Sequence, residues 1–168
     1  MTTLTKNITG VLEKFLIVLM ATMVVDVTWQ IVTRFILSKP SSFTEELAGF
    51  LLMWIGLLGG SYAYHKRAHL GIDILTSRLN GKYRMFSELL IASLVFTFAF
   101  FVLLVGGIRL VGITFTLRQI SPSLKISMGY VYLSLPLSGC LMMYYAAAFF
   151  VDSLTGKSSV SLQNHKDS

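Results

Sequence analysis

Three ionisable residues stand in or beside apolar sequence: Asp26, Arg34 and Arg109. A charge in hydrocarbon is costly, so each must face protein, water or a headgroup and is a functional candidate on that ground. Asp26 could couple a proton to transport, support the fold or bind a partner. It is separated from Arg34 by about 12 Å of helix, too far for an ion pair within one helix. Arg34 and Arg109 lie near enough to the outer interface to extend their guanidinium groups to it. His65 and His69 share a helical face at i, i+4 and could offer two imidazoles to a metal or haem. They sit at the edge of a span, however, and the remaining histidine, His165, is in the C-terminal tail. A buried haem needs axial ligands within the spans. No phosphate-binding loop, nucleophile elbow or pair of catalytic acids occurs, so the chain is expected to be no enzyme and to carry no cofactor or metal.

The next informative pair is Glu45 and Glu46. Ser42-Phe43-Thr44-Glu45 fits a capping box, in which a hydroxyl and a carboxylate satisfy free helical N–H groups. Carboxylates in a first turn also suit the positive end of the helix dipole. A second acid exceeds what capping requires, which leaves a docking or pairing role open.

The elements that position these residues are apolar helices. Of 168 residues 54% are hydrophobic and 13% charged. Stretches 47–64, 89–108 and 126–151 contain no Asp, Glu, Lys or Arg. Each is long enough to cross about 30 Å of hydrocarbon. A fourth, over 15–37, contains Asp26 and Arg34 but nothing that would stop a helix. Its apolar run also fits a signal-peptide core, yet the helical pattern continues through Trp29 and Phe35 without a small-residue cleavage site, so it is read as an uncleaved span.

The expected fold is an all-α integral membrane protein with transmembrane helices at about 15–37, 47–64, 87–112 and 129–151, forming one domain over 1–155. A short amphipathic arm over 69–80 is expected to lie in the membrane interface, and residues 156–168 to form a polar, disordered tail. Gly56 and Gly60 make a small-residue face for helix packing, with a weaker hint of the same at Gly106, Gly107 and Gly112. Ser121-Pro122-Ser123-Leu124 should make a turn, and Pro136 should bend the last span. The lone Cys140 excludes an intrachain disulfide.

A net charge of +6 would suggest nucleic acid for a soluble chain. Here topology accounts for it, and no nucleic-acid partner is expected. Lys6, Lys14, Lys66, Arg67, Arg78, Lys82, Arg84, Lys157 and Lys166 fall on the side of the termini, against Arg34, Lys39, Arg118 and Lys125 on the other. The excess marks the terminal side as cytoplasmic.

Taken in order, several residues resemble the small membrane subunit of tripartite ATP-independent periplasmic (TRAP) transporters, the DctQ-like family. They are Trp29 and Arg34-Phe35, then Pro40 and Phe43-Thr44-Glu45-Glu46-Leu47-Ala48, with Phe43 where tryptophan is usual. Trp54-Ile55-Gly56 and Gly59 follow, then His69-Leu70-Gly71-Ile72-Asp73. Softer matches are Ser121-Pro122 with Leu124, and Tyr132 with Leu135-Pro136-Leu137. The resemblance covers about 12–152; no single motif decides it, but the order and placement in four spans is specific.

The resemblance implies a scaffold in the bacterial inner membrane. It would pair stably with a large membrane subunit that binds substrate and sodium, and work with a periplasmic binding protein that delivers an organic acid such as a sialic acid or C4-dicarboxylate. Arg34, Glu45, Glu46, Trp54, His69 and Asp73 become candidates for contact with a partner or with phospholipid, and Gly56 and Gly60 for helix packing. Two alternatives stand beside it. One is a four-helix proton-coupled multidrug exporter acting as a homodimer, with Asp26 as its carboxylate; the other is the membrane anchor of a redox complex.

Overall fold

The computed structural model describes residues 3–37, 41–66 and 82–154. The described residues are almost wholly helical: α1 (Thr3–Phe35), α2 (Ser42–His65), α3 (Lys82–Phe98), a π-helical segment (Ala99–Gly106), α4 (Gly107–Thr116), α5 (Met128–Tyr132) and α6 (Ser134–Leu154). Four helical stretches are long and apolar enough to cross a membrane: Thr5–Phe35, Ser42–His65, Leu89–Thr116 and Met128–Val151. The protein is therefore a multi-pass membrane protein. The interfacial arm over 69–80, with His69 and Asp73, and the tail lie outside the described residues.

The last long helix is the hub of the packing. α1 lies along α2, α2 along α6, and α6 along α3 and the π-helical segment. Thr5 and Thr9 of α1 also hydrogen-bond Tyr144 and Tyr145 of α6, so α1, α2 and α6 pack against one another.

The first helix begins well before the expected residue 15. Its 33 residues extend about 50 Å, against about 30 Å of hydrocarbon. Buried Thr5, Thr9, Leu12, Leu16, Asp26 and Thr33 recur at spacings of three, four, seven and ten, which is one seam along the helix. Leu12 and Leu16 join Leu58, Tyr64, Tyr145 and Ala146 in the core. Val11, Ile17, Val18, Val24, Val25 and Trp29 point outward, as they should where lipid is the solvent.

The capping box at Ser42 does not form. The N-cap is Ser41, whose side chain makes no capping bond. The Thr44 hydroxyl donates back to the Ser41 carbonyl at 2.9 Å, so it serves as a donor inside the helix. Starting the helix at Ser42 leaves Glu45 exposed and carries Glu46 round toward the loop between the third and fourth spans.

The third span is continuous from Lys82 to Thr116 through its π-helical turn, longer than 87–112. The wider backbone is accommodated where α6 has no side chain. A Cβ on Gly139 would lie 3.0 Å from both Leu103 Cβ and Leu104 N, and one on Gly107 would lie 2.9 Å from Pro136 Cδ. These two glycines interlock the third and fourth spans. The fourth span breaks at Leu133, between α5 and α6. Pro136 falls in the first turn of α6, where its missing N–H is tolerated. Ser134 and Ser138, both fully buried, return their hydroxyls to the carbonyls of Val131 and Leu135 at 2.9 Å.

Candidate partner- and lipid-facing site

At the N-terminal end of α2, its fifth residue holds the loop between the third and fourth spans. Glu46 Oε2 accepts the backbone N–H groups of Ser123 and Leu124, each at 2.9 Å. The Ser121 hydroxyl accepts the Leu124 N–H at 3.2 Å as well. The loop is closed by Ser121 N–H to Ile126 O at 2.9 Å and Met128 N–H to Gln119 O at 2.9 Å. It begins with a helix-terminating motif in which Arg118 N–H bonds Phe115 O and Gln119 N–H bonds Thr114 O, both at 3.1 Å. Arg118 takes the left-handed position that glycine usually fills, with φ 48°, and Lys125 another, with φ 57°. The Ser-Pro-Ser-Leu turn is thus a folded hairpin with a carboxylate from another helix bound to it. Glu46 is committed to this internal contact, whereas Glu45 and Arg34 are exposed on the same side.

Within the spans, Asp26 is 7% exposed, and its Oδ2 has no hydrogen-bond partner among the described residues. Arg109 is exposed on the outside of α4, facing lipid or a partner. Trp54 sits edge-on to Phe15, with ring centroids 6.2 Å apart, and joins α2 to α1. A Cβ at Gly56 or Gly60 would meet nothing within 4 Å, so neither glycine serves close helix packing among the described residues. Gly56 instead borders a shallow apolar groove of about 390 Å³ with Leu52, Met53, Leu57, Tyr132 and Leu135.

The other end is held by hydroxyls that the sequence reading passed over. Thr5 and Thr9 hydrogen-bond the Tyr144 and Tyr145 hydroxyls at 2.9 and 3.2 Å. Tyr62 donates to Glu13 at 3.0 Å, and buried Ser61 donates across to the Ser138 carbonyl at 3.2 Å. His65 is buried and stacked on Tyr145 at 4.5 Å, with Phe149 beyond. The signal for these contacts was present as hydroxyl residues recurring at helical spacing inside apolar sequence, where a polar group needs a partner. Among the described residues no group of three or more His, Cys, Asp and Glu side chains gathers.

The sequence of these spans matches a known family. Residues 23–156 match the model described as tripartite ATP-independent periplasmic transporters, DctQ component. The chain belongs to the DctQ family. The sialic acid TRAP transporter small permease protein SiaQ of Vibrio cholerae is 32% identical over 84% of this chain and 80% of its own length. The C4-dicarboxylate TRAP transporter small permease protein DctQ of Rhodobacter capsulatus is 32% identical over 61% of this chain and 44% of its own. The sialic acid TRAP transporter permease protein SiaT of Haemophilus influenzae is 32% identical over 77% of this chain, which amounts to only 21% of that relative. These relatives are transporter subunits and not enzymes, as expected for a DctQ chain. Family membership displaces the exporter and redox-anchor alternatives.

Proposed function

We propose that this DctQ chain is the static small subunit of a TRAP transporter, pairing stably with a large membrane subunit that carries the sodium and substrate sites. The observation that carries the reading is the match to one fifth of SiaT. In that relative, sequence like this chain shares one polypeptide with about four times as much again. The many exposed apolar side chains along all four spans support the same conclusion, because they offer wide faces to a membrane partner. The substrate class follows the relatives' names: an organic acid of the sialic acid or C4-dicarboxylate kind, delivered by a periplasmic binding protein. The bias of Lys and Arg supports an inner-membrane orientation with both termini cytoplasmic. In this role Arg34, Glu45, Trp54, Gly56 and Gly60 are available to the large subunit or to phospholipid, and His69 and Asp73 to the interfacial arm.

Sodium-driven uptake in proteoliposomes tests this, with the large subunit and binding protein supplied with and without this chain. Uptake only when all three are present supports the reading. Full uptake without this chain would overturn it.

A further inference from the structure

The loop between the third and fourth spans combines features of a headgroup-binding surface. Its backbone is folded onto α2 through Glu46, in the second turn of that helix. That contact holds the loop level with the first turns of α2, at the end of an apolar span. On it, Leu117 is 62%, Ile120 60% and Ile126 42% exposed. Exposed aliphatic side chains concentrated on one short loop suit an interaction or membrane surface. Arg118 and Lys125 alternate with them in sequence and are exposed. At the base of the loop Phe115 and Tyr130 form an edge-to-face pair 5.4 Å between centroids, with Tyr130 well exposed. Exposed amphipathic rings of this kind mark the headgroup level.

The two cations are held in an unusual way. Both occupy left-handed backbone positions that cost an L-residue free energy and that glycine takes without strain. No salt bridge engages either one among the described residues. Glu46, the carboxylate bound to the loop, has its Oε2 turned to the backbone N–H groups.

We propose that this loop binds phospholipid on the face of the membrane away from the termini. Arg118 and Lys125 take the headgroup phosphate, while Leu117, Ile120 and Ile126 enter the top of the acyl layer. A phosphodiester supplies the negative charge, and the adjoining chains cover the exposed aliphatic residues. An acidic soluble protein would satisfy only the first of these. The inference does not depend on the pairing proposed above.

The test uses the full chain in mild detergent, with phosphatidylglycerol added and bound lipid counted by native mass spectrometry. The comparison is Arg118→Gly with Lys125→Gly, which removes both charges at positions where glycine preserves the loop. At about a factor of five per cation near a lipid surface, the double variant should hold its tightest lipid roughly tenfold or more less well. Inorganic phosphate alone should not displace that lipid. A second readout is a nitroxide at Ile120→Cys in a Cys140→Ser background, in vesicles of phosphatidylcholine and phosphatidylglycerol. It should be relaxed by oxygen more than by an aqueous nickel chelate. Equal lipid retention by the double variant would overturn the proposal, as would displacement by phosphate alone. So would a label open to the nickel chelate, or one shielded only when a partner protein is present.

Discussion

Glu46 Oε2 accepts the backbone N–H of Leu124 at 2.9 Å, across 78 residues of sequence. Together with the bond from Ser123, it ties the second span to the connection between the third and fourth. Hydrogen bonds to an ionised acceptor are roughly twice as strong as neutral ones, so the charge matters as well as the oxygen. In proteoliposomes, trypsin should cut at Arg118 and Lys125 faster in Glu46→Ala than in wild type, with Glu46→Gln between them. Glu45→Gln should cut at the wild-type rate, because Glu45 is exposed. An unchanged rate in Glu46→Ala would show that the carboxylate does not hold the loop.

The glycines divide into two kinds. Gly107 lies against Pro136, its added Cβ meeting backbone nitrogen at 3.0 Å. Gly107→Ala should lower stability by about 1–3 kcal/mol, the usual cost of overpacking, measured as a fall in Tm of the isolated subunit. Gly60→Ala has open space around it and should leave that Tm unchanged or slightly raised, since alanine is the better helix former. If Gly60→Leu also leaves assembly with a large subunit intact, the Gly56/Gly60 face is not a protein contact.

The tyrosine and serine bonds between α1, α2 and α6 should each contribute modestly. Interhelical hydrogen bonds in membranes average about 0.6 kcal/mol and reach about 1.7. Ser61→Ala and Tyr145→Phe should each fall in this range by denaturant titration. Tyr145→Phe keeps the ring stacked on His65, so a much larger loss would point to the ring's surroundings and not to its bond with Thr9.

Asp26 presents an oxygen without a partner among the described residues in a seam otherwise made of threonine and leucine. Replacing a buried, unsatisfied polar group with an apolar one of similar size is often neutral or stabilising. Asp26→Leu should therefore hold or raise the Tm, by up to about 2 kcal/mol in stability terms. Uptake by the assembled transporter should be unaffected. Loss of uptake in Asp26→Asn with normal assembly would give this carboxylate a part in transport.

Much of the architecture was legible because hydrocarbon imposes simple rules. Charge-free stretches of sufficient length become spans, and Ser121-Pro122 becomes a turn. Helix ends were less legible. α1 extends well back from residue 15 to where Thr5 and Thr9 find tyrosine partners on α6, a tertiary contact that no local pattern carries. The capping box at Ser42 matched in composition, but the helix begins one residue too early for it. Glu46 was singled out as more acid than a cap requires; its partner, a backbone turn in a distant loop, depends on how the spans pack. Gly56 and Gly60 show a spacing suited to close packing, yet the close approaches fall at Gly107 and Gly139, where a π-helical turn meets α6.

The central claim is that this DctQ chain works as one half of a membrane pair. The most direct measurement is to recover it from its native membrane in mild detergent and identify what co-purifies by mass spectrometry. A stoichiometric partner several times longer, with many apolar spans, is the predicted result. Recovery of this chain alone, as a stable homodimer, would contradict the account.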